Sequence, residues 1–138
     1  MEGQPGTRVV NVASYWAGGM DLNDPEFKSR PYDNDVAYRQ AKQADRMLSV
    51  AFSERLKSKG ITVNACHPGD VNSKLSNAFE FGGSESPEEG AATPLFLALS
   101  EEVSGITGKY YEHLRQVTCS FSKDHQAIER LFEICINR

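Results

Sequence analysis

Several features that would point to common protein classes are scarce in this sequence. There are only three cysteines, Cys66, Cys119 and Cys135, an odd and widely spaced set in 138 residues. Such usage fits a reducing compartment and argues against a disulfide framework or a zinc site. His67, His113 and His125 show no metal-ligand spacing and read as structural or solvent-facing. Long hydrophobic runs are missing too: the stretch 95–99 is typical, far short of the ~20 apolar residues that span a bilayer. Positive charge is not in excess. The net charge is -4 with Lys and Arg scattered, so a nucleic-acid partner is not favoured. The opening residues 1–6 have neither the basic start nor the apolar stretch of a signal peptide. Together with the cysteine usage, this points to a cytoplasmic location. There is no internal repeat and no low-complexity segment.

What remains is an ordinary globular composition, 39% hydrophobic and 25% charged. It excludes a disordered tail and suggests one domain with a normal core. Residues 8–14 form a short β-branched run, bounded by Pro5-Gly6 and Gly18-Gly19, and predict a buried strand. Residues 18–34 are polar and turn-rich and predict a long loop. From Asp35 to Lys59 the apolar residues Ala37, Ala41, Ala44, Leu48, Ala51 and Phe52 recur at helical spacing. Asp33, Asn34 or Asp35 is placed to cap this helix, and Gly60 to end it. Residues 61–66 predict a second strand, broken by His67-Pro68-Gly69. Residues 70–86 predict a mobile segment. Ser86, Pro87 and Glu89 then predict a capped helix start, with Pro94 expected to kink or end the helix. Residues 108–113 predict a third strand. Ser122 is placed to cap a last helix with an apolar face of Ala127, Ile128, Leu131, Phe132 and Cys135. Alternating strands and helices predict an α/β fold: a three-layer parallel sheet with flanking helices.

One spacing carries chemistry. Tyr38 and Lys42 stand four residues apart near the start of the long helix, hence on one face. At ~4 Å and an effective dielectric of about 20, the ammonium would favour the tyrosinate by about 4 kcal/mol, less where solvent screens it. A phenol so assisted can act as general acid and base. Alone the spacing is weak, since five tyrosines and seven lysines generate such pairs by chance. Other residues agree with it. Ser14 lies at the carboxyl end of a strand, where open α/β sheets place ligand groups. Pro68-Gly69, Val71 and Ser73 follow the next strand.

In this order the residues resemble the carboxyl-terminal half of a short-chain dehydrogenase/reductase, over nearly all of residues 8–136. The stretches Val10-Asn-Val-Ala-Ser14, Tyr38-Arg-Gln-Ala-Lys42, Val63-Asn-Ala-Cys-His-Pro-Gly69 and Ser86-Pro-Glu-Glu-Gly-Ala-Ala92 are most similar to the retinol dehydrogenase branch, near WW-domain-containing oxidoreductase. The resemblance implies the carboxyl-terminal half of a Rossmann-type doubly wound fold. It implies that Tyr38 exchanges a proton with the substrate oxygen and that Lys42 holds the nicotinamide ribose. Ser14 would hydrogen-bond the substrate, while Pro68, Gly69, Val71 and Ser73 line the nicotinamide, Ser73 through its hydroxyl. Ser73 stands where the family more often has threonine, and Ala13 where many members have a serine. Residues 74–86 would form a substrate lid. The reaction implied is reversible hydride transfer between a nicotinamide cofactor and a small-molecule carbonyl or alcohol, with NADP(H) favoured over NAD(H) by analogy with the branch.

The sequence also departs from the family. The glycine-rich turn that cradles a pyrophosphate after a first strand is not found. Gly105-Ile-Thr-Gly108 is the nearest piece, and it reads as a turn. Residues 1–138 therefore read as a partial catalytic and substrate-binding half, with the cofactor-binding amino-terminal half absent. Three explanations follow: a fragment of a longer enzyme, a short product that pairs with another subunit, or an inactive remnant that folds alone. Met1 and the loop-like residues after it favour the first. A homo-oligomer, or the missing half, is the expected protein partner. The main alternative function is a non-catalytic binding or dimerisation module. An unrelated α/β nucleotide binder has only the alternation of elements in its favour.

Overall fold

The computed structural model describes residue 4 and residues 6–137. The sequence readings that rest on Pro5 and on residues 1–3 lie outside the described residues. Strand β1 (Arg8–Val12) is extended because Val9, Val10 and Val12 favour a pleated surface. Helix α1 (Asn34–Leu56) starts where the Asp33 carboxylate accepts the Val36 N–H at 2.9 Å. It passes into a 3-10 turn, Lys57–Lys59, and Gly60 stops it in the left-handed region at φ 68°. Strand β2 (Thr62–His67) runs parallel to β1, with Arg8 opposite Thr62 and Val12 opposite Cys66. Helices α2 (Lys74–Ala78) and α3 (Pro87–Leu99) follow. Strands β3 (Tyr110–Glu112) and β4 (Arg115–Val117) form a hairpin, and α4 (His125–Ile136) closes the chain.

The sheet order is β1-β2-β3-β4. Three strands are parallel, as expected, but β4 pairs antiparallel with β3, so the sheet is mixed. The hairpin was not foreseen because its turn residues, His113 and Leu114, are non-glycine residues at φ 46° and 63°. They carry none of the usual Asn-Gly or Asp-Gly signal.

Strand alternation sorts the side chains into two faces. Asn11 donates to the Ser49 hydroxyl of α1 at 2.8 Å, whereas Arg8 donates to the Ser100 carbonyl at the end of α3 at 2.7 Å. Helix α1 therefore covers one face and α3 the other. On the α1 side, Met47, Val50 and Ala51 pack with Ile128 and Leu131 of α4. On the α3 side, Cys66, Leu97, Val103 and Tyr111 pack together. The result is the expected three-layer α/β fold.

Four readings change. The buried stripe of α1 is Gln40, Arg46, Met47, Ser49, Val50, Ala51 and Ser53, while Ala41 and Phe52 are exposed. The small polar side of the helix packs on the sheet because the approach is close: a Cβ at Gly108 would stand 2.6 Å from the Ser53 hydroxyl. Helix α4 is capped by Asp124, which accepts the Ala127 N–H at 3.0 Å, and Ser122 lies in the preceding 3-10 turn. Pro94 does not end α3, which runs on to Leu99. The segment 70–86 contains α2 and is closed on itself, as described below.

Candidate functional site

Beyond β1 the last ladder bond is from the Ala13 N–H to the Cys66 carbonyl, at 2.8 Å. Ser14 is the next residue and is buried. Its Oγ accepts the Trp16 N–H at 3.1 Å, which leaves the hydroxyl proton to donate elsewhere. Tyr38 lies at the start of α1 and is exposed; among the described residues its hydroxyl has no hydrogen-bond partner. Its ring meets the Trp16 ring with centroids 5.9 Å apart, and Lys42 Nζ lies 5.9 Å from the Tyr38 centroid. Lys42 Nζ donates to the Val12 carbonyl at 2.9 Å and stands 3.2 Å from Asp45 Oδ2.

Ser14, Tyr38 and Lys42 are thus brought to the carboxyl end of β1. No hydrogen bond joins the hydroxyls of Ser14 and Tyr38 among the described residues. The long loop before Tyr38 is held in place by α1 itself. Gln40 donates to the Pro25 carbonyl and accepts from Arg30, both at 2.7 Å, and Gln43 accepts the Met20 N–H at 3.0 Å. Asp24 closes the loop by accepting from the Lys28 and Ser29 amides at 2.6 and 3.0 Å.

Pro68, Gly69, Val71 and Ser73 lie past the end of β2. His67, the last residue of that strand, is buried rather than solvent-facing, and packs edge-on against Tyr15 with centroids 4.7 Å apart. Burial pushes its pKa below 6.5, against the opposite pull of Glu112 and Glu85, so the imidazole is held neutral. Its Nδ1 is buried without a partner. Gly69 sits at φ 102°, and a Cβ there would overlap the Glu85 carboxylate. Glu85 Oε1 is 3.6 Å from His113 Nδ1, and Oε2 is buried without a partner.

The same stretch is zipped to its own far end. Val71 pairs with Glu85 as an isolated parallel bridge, and the Asn72 N–H donates to the Glu85 carbonyl at 2.8 Å. The Ser73 hydroxyl caps α2, accepting the Ser76 N–H at 3.1 Å, while Ser76 returns a capping-box bond to the Ser73 N–H at 2.8 Å. Its hydroxyl thus has a local task that the sequence reading did not assign.

Arg46, Trp16 and Glu85 escaped the sequence reading. Arg46 was legible in one respect, since it continues the four-residue spacing of Tyr38 and Lys42. Nothing in the sequence signals that Glu85 folds back onto Gly69. Among the described residues no group of three or more His, Cys, Asp or Glu side chains is arranged to hold a metal ion. No helix among them is long and apolar enough to cross a membrane.

No family model matches the chain. Individual relatives do. Human retinol dehydrogenase 13 is 31% identical over 144 residues, covering 91% of this chain and 44% of its own length. A probable oxidoreductase of Streptomyces antibioticus is 31% identical over 91% of this chain and 52% of its own length. Among solved structures, landomycin C-6 ketoreductase LanV with bound NADP and rabelomycin is 33% identical, with a TM-score of 0.52 over 79% of this chain and 41% of its own. A structure from Mycobacterium Paratuberculosis, 24% identical, shares the fold with a TM-score of 0.68 over 93% of this chain and 49% of its own. The chain spans about half the length of the curated relatives it matches. With Ser14, Tyr38 and Lys42 gathered at the end of β1, the chain belongs to the short-chain dehydrogenase/reductase family.

Proposed function

We propose that residues 8–136 form the catalytic and substrate-binding half of an NAD(P)-dependent oxidoreductase that interconverts a small carbonyl compound and its alcohol. The observation that carries this reading is the meeting of Ser14, Tyr38 and Lys42 at one strand end, with Lys42 Nζ anchored on the Val12 carbonyl at 2.9 Å. That is where open α/β sheets bind ligands.

Residues here suit the nicotinamide–ribose end of the cofactor. Lys42 offers an ammonium beside Tyr38. Glu85 Oε2 and His67 Nδ1, buried without partners beside Pro68 and Gly69, are polar atoms that a carboxamide can satisfy. No glycine-rich turn from strand to helix suits the pyrophosphate among the described residues. The bound cofactor supplies or accepts the hydride. Ser14 Oγ donates to the substrate oxygen, its own acceptor side being occupied by the Trp16 N–H. Tyr38 Oη passes a proton to that oxygen during reduction and takes it back during oxidation. Lys42, anchored on the Val12 carbonyl beside Tyr38, holds the nicotinamide ribose. Pro68, Gly69, Val71 and Ser73 border the nicotinamide, and residues 74–86 cover the substrate. NADP(H) is favoured over NAD(H), in keeping with the NADP bound to the 33%-identical ketoreductase.

The exposed side of β1 favours completion of the sheet by a further element, from the absent half or a second copy. β1 is an edge strand whose Val12 is 46% exposed. A non-catalytic docking module is the second reading that this edge supports.

Two measurements test the proposal. Calorimetric titration of the 138-residue chain with NADPH, up to millimolar cofactor, is expected to show no saturable binding. One-to-one binding would show that the site is already complete. In the chain joined to a glycine-rich cofactor half, Tyr38→Phe is expected to lower turnover by about 10²-fold or more with cofactor affinity unchanged. Turnover retained in that variant refutes the assignment.

A further inference from the structure

The least ordinary group in the core is Arg46. Its side chain is on the inner stripe of α1, one turn beyond Lys42, and the residue is only 8% exposed. None of the ion pairs among the described residues includes it. It donates to the Ser14 carbonyl, and to Tyr110 Oη at 2.6 Å. The guanidinium carbon lies over the Tyr110 ring, 3.7 Å from its centroid, and Nε is buried without a partner. A buried cation with no carboxylate in direct contact, the Glu112 charge lying beyond Tyr110, is a costly way to fill a core position, and a methionine would fill it at lower cost. Packing alone therefore does not account for Arg46.

Its geometry does. Past the Ala13 N–H the strand has no ladder bond, so the sheet no longer sets the direction of the Ser14 peptide. Lys42 and Arg46, on successive turns of α1, hold the carbonyls of Val12 and Ser14, two residues apart on the same strand end. With its carbonyl held, Ser14 presents Oγ to the Trp16 N–H, and the Trp16 ring reaches the Tyr38 ring. Burial, helped by the hydrogen bond and charge of Glu112, keeps the Tyr110 hydroxyl protonated against the pull of the Arg46 charge, so the second anchor of the guanidinium stays neutral.

We propose that Arg46 is a positioning residue: its buried guanidinium fixes the Ser14 carbonyl and, through the turn to Trp16, sets Ser14 against Tyr38. The inference rests on the reading that these two residues form the site, but its test does not need turnover. Trp16 is the sole tryptophan, so its fluorescence reports this turn directly. In the 138-residue chain, Arg46→Met is expected to raise acrylamide quenching of Trp16 about twofold and to lower its anisotropy, because a local opening is released while the rest of the fold holds. The urea midpoint should remain near that of the parent chain. Arg46→Lys keeps the charge but loses the planar guanidinium that lies over the Tyr110 ring, so intermediate quenching is expected. It carries the test if Arg46→Met does not fold.

Unchanged quenching in a folded variant overturns the proposal. So does quenching that rises only in step with a fall of the urea midpoint, which would make Arg46 a core residue and nothing more. If the fluorescence behaves as expected while Tyr38→Phe leaves turnover intact, the oxidoreductase reading fails and the positioning inference stands.

Discussion

The two halves of the candidate site are built differently. Ser14, Tyr38 and Lys42 lie on or beside β1 and α1, and their supports reach into the core through Arg46, Tyr110 and Ser49. Pro68 to Ser73 lie on a loop whose supports are mostly its own atoms: the Val71–Glu85 bridge, the Ser73–Ser76 capping box and the Glu85 carboxylate against Gly69. The first half is tied by hydrogen bonds to the sheet it ends. The second is tied mainly to its own far end. The hydride-transfer site proposed above would use both: groups held to a fraction of an ångström, and a side that admits ligand.

This contrast can be broken experimentally. The largest effect after Tyr38→Phe is expected from Gly83→Ala. Gly83 sits at φ 152°, and a Cβ there would collide with the Val71 and Asn72 backbone. Strain of about 1–3 kcal/mol should open the 70–86 loop. Limited proteolysis should then cut within this loop while Trp16 fluorescence stays unchanged. Coupled changes would show that the two halves are one unit.

Ser73→Ala removes the cap of α2 and should cost about 1 kcal/mol locally. Hydrogen exchange of the Ser76 and Asn77 amides should quicken, with the β1–β2 amides unaffected.

A smaller effect comes from the loop in front of Tyr38. Burial pushes the Asp24 pKa up, but the bonds from Ser29 and Lys28 and the charge of Arg30 outweigh it, leaving the pKa below the ordinary 3.8. The folded state therefore holds the ionised form more tightly than the unfolded chain does. That contribution to stability is fully present above pH 3.8 and is lost as the pH falls through the lower folded value. Asp24→Asn should flatten the acid limb of a stability–pH curve there.

The smallest effect is chemical. Burial pushes the Cys66 thiol up to about 11, whereas Cys135 is exposed. Alkylation at neutral pH should modify Cys135 first and leave Cys66 intact until the chain unfolds.

Local patterns were legible because their causes are local. The Ser86–Glu89 capping box, the Gly60 stop and the shared face of Tyr38 and Lys42 each depend on residues within one turn. Ser73 illustrates the limit. Its hydroxyl was expected to face the cofactor through family resemblance, while its neighbour three residues on gives it a capping role as well. The α1 stripe was misjudged for a related reason. Periodicity marks large apolar residues, but this helix lies so close to the sheet that Ser49 and Ser53 are the residues that fit.

The sequence by itself determined the alternation of strands and helices as far as β3, the caps at Asp33, Gly60 and Ser86, and the shared helix face of Tyr38 and Lys42. Short-range sterics and hydrogen bonding dictate these before any packing occurs. Only the tertiary structure decided that β4 turns back beside β3, that Glu85 closes over Gly69, and that Arg46 grips the Ser14 carbonyl from 32 residues away. Those contacts join parts far apart in the chain, and no local pattern encodes which distant carbonyl a buried guanidinium will meet once the helix has settled on the sheet.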